Sequence, residues 1–130
     1  GPVGSGHQLK LIHNFVSLGF SAVLAEAAAC SGRAGIPADI FLEVVGKGGG
    51  NSVVVERFRP FLESGDRNAF RFSLKNALKD MNYYTTMADE AGASHGMAES
   101  VRQTYEQACQ AADPKATMPD LIGILTKEGR

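Results

Sequence analysis

Residues 6–31 read GHQLKLIHNFVSLGFSAVLAEAAACS, and this stretch decides the fold. Apolar side chains recur on nearly every side of its helical wheel: Leu9, Leu11, Ile12, Phe15, Val16, Leu18, Phe20, Val23 and Leu24. A helix that is apolar all round is a buried one, which predicts a bundle built around this segment. Lys10, Asn14 and Ser17 stand at i, i+4 and i+7 and share one narrow polar face. On a buried helix such a stripe must meet a cleft, a ligand or another polar group. Burial of an unpaired ammonium is costly and favours the neutral amine, a form suited to exchanging protons near neutral pH. A second reading stays open, in which Lys10 snorkels to solvent and Asn14 bonds a neighbouring loop.

Outward from this helix the whole chain reads as helical. Ala25 to Ala29 supply high propensity and small side chains for close packing, and Ser31-Gly32 closes the segment. Pro37 opens a second helix with Ile40, Phe41, Val44 and Val45 as its apolar face, broken by Gly46 to Gly50. Asn51 or Ser52 caps a third, with Val53, Val54, Val55, Phe58 and Phe61 inside, and Gly65-Asp66 ends it. Phe70 and Phe72 fall in a short extended piece. Ser73 caps a fourth helix to about Ala91, a fifth runs from about Met97 to Ala111, and Pro119 starts a last one carrying Leu121, Ile122 and Leu125. Sustained two-residue alternation is missing, so the predicted class is all-α.

The chain has 130 residues and a net charge of −1. That length is one domain able to bury a sizeable core. Without a basic excess or a lysine- and arginine-rich block, nucleic acid is not an expected partner. Lys10, His13 and Asn14 interrupt the best candidate for a membrane span of about 18 apolar residues, so no membrane is expected either. Cys30 and Cys109 lack metal-ligand spacing; reduced thiols in a cytoplasmic protein are the expectation. Gly1-Pro2 reads either as a tag-removal scar or as native sequence, and the abrupt start at a long helix suggests a fragment of something larger.

Two glycine-rich stretches resemble phosphate loops and fail as such. In Gly46-Lys47-Gly48-Gly49-Gly50-Asn51-Ser52 the lysine precedes glycine, not Ser or Thr, and no strand leads in. It reads as a helix–helix connection, with a loop lining a ligand cleft as the other possibility. Gly4-Ser5-Gly6 is no dinucleotide fingerprint, because Leu9 stands where the third glycine belongs. As a helix entrance it leaves backbone N–H groups uncovered one turn before Lys10, which suits a carboxylate. His7 and His13 flank Lys10 by three residues on either side and read mainly as edge residues. On spacing alone Lys79-Asp80 is a solvated edge, since neighbouring helical residues point about 100° apart.

The entrance Gly4-Ser5-Gly6-His7-Gln8-Leu9-Lys10-Leu11-Ile12-His13-Asn14 is similar to the G-x-G-x-x-x-K-x-x-N-N signature of the β-hydroxyacid dehydrogenases. Phe72, Leu74 and Lys79-Asp80-Met81 resemble that family's aromatic-then-K-D segment, and Asp120-Leu121-Ile122 adds a weaker match. The chain as a whole, residues 1–130, resembles the C-terminal helical domain of the 3-hydroxyisobutyrate dehydrogenase group, related to 6-phosphogluconate dehydrogenase. The resemblance implies an all-α bundle around one long N-terminal helix. It implies that Lys10 exchanges a proton with the substrate hydroxyl while hydride passes to NAD or NADP. Asn14 would orient that hydroxyl, Ser5 and Gly6 would bind the substrate, Phe72 would border it and Lys79 would approach the cofactor. His13 departs from the family's first asparagine. The presence of Lys10 argues against the related imine reductases. The resemblance further implies a small 3-hydroxy acid as substrate, a homo-oligomer, and an N-terminal Rossmann domain that these residues do not contain. The isolated chain is therefore expected to be inactive. The alternative is a non-catalytic helical interaction module of the same fold.

Overall fold

The computed structural model describes residues 4–129. Six helices follow in order: α1 (Ser5–Arg33), α2 (Ala38–Lys47), α3 (Val53–Ser64), α4 (Leu74–Glu90), α5 (Gly96–Ala111) and α6 (Met118–Glu128). Local chemistry sets most of their ends. Ser52 and Ser73 cap α3 and α4 by accepting from the backbone N–H groups of Val54 and Asn76. At Gly65 a positive φ of 78° ends α3, a backbone state open to glycine at little cost. Thr117 and Asp120 form a reciprocal capping box at α6, with the Thr117 N–H donating to Asp120 Oδ2 at 2.9 Å. Asp120, part of the weakest resemblance motif, thus has a structural task.

Among the described residues no β-strand forms; one isolated antiparallel bridge joins Ser73 to Thr117. It ties the start of α4 to the start of α6. The Leu74 N–H donates to the Ala116 carbonyl at 3.0 Å and the Met118 N–H to the Phe72 carbonyl at 2.9 Å. Phe70, expected in an extended piece, is buried and meets Phe58 edge-on at 5.0 Å between centroids.

The long helix α1 touches each of the other five and forms the spine of the bundle. Leu11, Leu18, Ser21, Ala22, Leu24, Ala25, Ala28 and Ala29 are its buried residues. Around them pack Leu42, Val55, Phe58, Leu74, Ala77, Met81, Tyr105, Met118 and Leu121. Tyr105 is fully buried on α5 and its hydroxyl donates to the Leu18 carbonyl at 2.6 Å. The indole-free core thus uses a phenol to pin α5 against the middle of α1.

Several expectations need correcting. α1 is not buried all round: Leu9, Ile12, Val16, Phe20 and Val23 are exposed, between 42% and 66%. Five short helices cover only part of a long one. On α2 the core residue is Leu42, whereas Ile40 and Val44 face outward; Val53 on α3 is likewise exposed. α2 also continues through Gly46 to Lys47 before the glycine run stops it. Finally, α1 is long and apolar enough to cross a membrane by length and composition, contrary to the reading that its polar residues interrupt it. Its packing against all five other helices makes it the core helix of this bundle.

Candidate active site

The polar stripe of α1 begins at its N-terminus. Gly4 caps the helix in the left-handed region, at φ 93°, without a side-chain hydrogen bond, and no acidic residue lies in the first turn. The positive end of the helix dipole is therefore unmatched by any side chain of its own. Ser5 is half-buried and Gly6 is exposed at this end. Lys10 follows one turn later. It is exposed, and among the described residues it forms no ion pair or hydrogen bond. The burial anticipated for this lysine does not occur within this chain, because no other helix covers Gly6 to Lys10.

Asn14 is half-buried, and here α4 joins the site. Asn14 Nδ2 donates to Asp80 Oδ2 at 3.3 Å, while His13 Nδ1 lies 3.5 Å from Asn14 Oδ1. A carboxylate accepts hydrogen bonds only, so Asp80 selects one orientation of the Asn14 amide and leaves its oxygen on the other side. Next to this contact Phe15 stacks on Tyr84 with centroids 4.5 Å apart and an interplanar angle of 22°. The polar contact and the aromatic one together set how α4 crosses α1. Ser17, the third member of the stripe, is half-buried, and its carbonyl accepts from Ser21 Oγ at 2.8 Å. That bond stays inside the helix and engages the backbone of Ser17, not its hydroxyl.

Lys79 precedes Asp80 on α4 and is exposed, with no ion pair among the described residues. Phe72 is 39% exposed in the segment before α4, its backbone held by Met118. The structure thus joins Asn14 to Asp80. It records no contact from Lys10, Phe72 or Lys79 to one another. Asp80 was missed as a site residue, because spacing alone made it a solvated edge; the aromatic-then-K-D resemblance was the only signal available. Surface hollows among the described residues lie elsewhere. One of about 660 Å³ beside α6 is lined by Arg67, Lys115, Asp120 and Lys127 among others. There Arg67 Nη2 pairs with Asp120 Oδ1 at 2.9 Å.

A sequence family described as the NAD-binding domain of NADP-dependent 3-hydroxyisobutyrate dehydrogenase matches residues 4–125. The chain belongs to this family. The structure is also similar to the crystal structure of 3-hydroxyisobutyrate dehydrogenase from Salmonella typhimurium, with a TM-score of 0.80 and 25% sequence identity. That similarity covers 93% of this chain and 42% of the Salmonella chain, so this chain spans under half the length of that protein. No curated protein sequence matches the chain. Family membership and the six-helix architecture agree with the resemblance read from Gly4 to Asn14 and from Phe72 to Met81, and with the all-α fold expected from it. They tie the chain to NAD(P)-dependent, 3-hydroxyisobutyrate dehydrogenase-like proteins.

Proposed function

We propose that this chain is the C-terminal, proton-transferring half of an NAD(P)-dependent dehydrogenase acting on a small 3-hydroxy acid. The observation that carries the reading is the pairing on α1 of an unengaged lysine, Lys10, with an amide one turn away that Asp80 holds in a fixed orientation. In oxidation Lys10 Nζ takes the proton of the substrate hydroxyl as the carbinol hydrogen leaves as hydride; in reduction it returns that proton to the carbonyl oxygen. Asn14 orients the hydroxyl through its side-chain amide. Ser5 and Gly6, at the uncapped start of α1, offer backbone N–H groups to the substrate carboxylate. Phe72 contributes an apolar wall.

NAD or NADP supplies the hydride acceptor. The residues present fit one edge of such a group: Lys79, next to Asp80 in sequence, is an exposed cation with no ion pair among the described residues, suited to a phosphate or a polarised ring substituent. They do not carry the dinucleotide fingerprint of a Rossmann domain. The exposure of Lys10 supports a second domain closing over it, because proton transfer gains from excluded water. A Rossmann domain upstream of these residues in the parent protein is part of this proposal, and the chain alone is proposed to be inactive.

Lys10→Ala in the full-length enzyme tests the reading. Turnover should fall by about 10²–10⁴-fold, the range for losing a general acid–base group. Lys10→Arg should not restore it, because guanidinium stays protonated. Both replacements are good helix formers at an exposed position, so folding is retained. A folded Lys10→Ala enzyme with near-normal turnover refutes the assignment.

A further inference from the structure

Four half-buried side chains meet where α4 crosses α1: Asn14 and Phe15 on α1, Asp80 and Tyr84 on α4. Asp80 and Tyr84 stand four residues apart and so share one face of α4. Asn14 Nδ2 donates to Asp80 Oδ2 at 3.3 Å, beyond the usual span of about 2.7–3.2 Å. A bond this long is sensitive to position, and a shift of the helices by a few tenths of an ångström breaks it. Beside it Phe15 stacks on Tyr84 with ring centroids 4.5 Å apart and an interplanar angle of 22°. We infer that Tyr84 is a positioning residue for the reaction: its ring, seated on Phe15, sets the height of α4 above α1 at which Asp80 reaches Asn14. The inference rests on the role proposed above for Asn14, that of orienting the substrate hydroxyl.

The rest of α4 leaves this task to the ring pair. Beyond Leu74 its buried residues are Ala77, Met81, Thr85 and Ala88, which are small or, for methionine, adaptable in shape. Two stacked aromatic rings are stiff by comparison, each with two side-chain torsions and a fixed thickness. Phe15 and Tyr84 pack against the core without entering it, and both stay half-buried beside Asn14 and Asp80. The hold acts through the ring faces. Among the described residues Tyr105 is the only tyrosine whose hydroxyl forms a hydrogen bond, so Tyr84 contributes its plane and not its oxygen. Without the stack α4 settles or slides on α1, and Asp80 releases the amide. A released Asn14 samples both orientations of its side chain and offers oxygen and nitrogen to the substrate interchangeably. Alignment of the hydroxyl with Lys10 is then lost for part of the time, which slows the chemical step.

The test is a double-variant cycle in the full-length enzyme. Tyr84→Leu keeps an apolar helix former and removes the plane. It should lower kcat by about 3- to 10-fold and change KM by less than about twofold, the pattern of lost alignment. Tyr84→Phe retains the stack and should hold kcat within about twofold of the wild type. In an Asp80→Ala background Tyr84→Leu should cost nothing further, because the two residues act in series. Additive losses overturn the inference, since Tyr84 then acts by another route. So does an unchanged kcat in Tyr84→Leu, or a loss in Tyr84→Phe equal to that in Tyr84→Leu. A second readout needs no turnover. In NMR spectra one side-chain amide proton of Asn14 should resonate downfield, move upfield alike in Asp80→Ala and Tyr84→Leu, and stay in place in Tyr84→Phe. A resonance unmoved by Tyr84→Leu overturns the inference. A Lys10→Ala enzyme of near-normal turnover refutes the catalytic reading alone, and the amide resonance then still decides whether Tyr84 holds Asn14.

Discussion

Replacing Tyr105 by Phe removes one oxygen atom from the centre of the bundle and tests how α5 is fixed to α1. The hydroxyl is fully buried and donates to the Leu18 carbonyl at 2.6 Å, one turn beyond Asn14. That carbonyl lies within α1, where it also serves the helix ladder, so the deletion orphans no acceptor. The cost at pH 7 should therefore be that of one net hydrogen bond, about 1 kcal/mol, and not the larger penalty of an unsatisfied buried group. Burial also pushes the phenol pKa well above its usual value. The sign follows from linkage: in the unfolded chain tyrosine ionises near pH 10, while in the folded one it stays protonated. The contribution of Tyr105 is thus fully present below about pH 10 and lost as pH rises, at about 1.4 kcal/mol per unit. The wild-type advantage over Tyr105→Phe should fall to zero near pH 11 and reverse beyond it. Urea unfolding of both proteins at several pH values between 7 and 11.5 measures the difference directly, and other titrating groups cancel between them. A pH-independent difference would show that Tyr105 is not held protonated, and a loss above about 3 kcal/mol at pH 7 would show that Leu18 depends on it for its only partner.

Other expectations concern the site and the core. In the full-length enzyme, Asp80→Ala should lower kcat by about tenfold while Asp80→Asn costs less, because an amide oxygen still accepts from Asn14; equal losses would deny Asp80 its positioning role. Steady-state assays of the isolated chain with NAD or NADP and a panel of 3-hydroxy acids should show no useful turnover, and robust activity would refute the two-domain reading. Phe58→Ala should destabilise the bundle by about 3–5 kcal/mol in thermal or urea unfolding, since Phe58 is fully buried against Phe70.

Helix ends were legible in the sequence because their signals are local. Ser52 and Ser73 act on N–H groups two or three residues away, and Gly65 acts on its own φ angle. Helix faces were read less well. On α2, Ile40 and Val44 carry the right residue types, yet the neighbouring helices cover Leu42 and leave those two bare. A short apolar helix offers more than one possible core face, and only the packing chooses between them. The same holds for α1, where composition announced burial on all sides but five helices cover only part of the surface. Lys10 and Asn14 could be placed together because both lie on one helix, whose geometry fixes their separation. Asp80 could not be added by periodicity, because its meeting with Asn14 spans 66 residues and rests on how α4 crosses α1.

The backbone bridge between Ser73 and Thr117 also has a consequence for the order in which the chain is made. Phe72 and the first turn of α4 are held by hydrogen bonds from and to residues 116 and 118, at the threshold of α6. The ribosome delivers α6 after the other five helices. Until it emerges, the segment that leads into Lys79 and Asp80 lacks its anchor, and Met118 and Leu121 are missing from the core. A polypeptide released early therefore keeps the contacts of α4 with α1 and α5 but lacks the two backbone bonds that hold the start of α4. The start of α4 is thus held by residues that the ribosome adds only after α5 is complete.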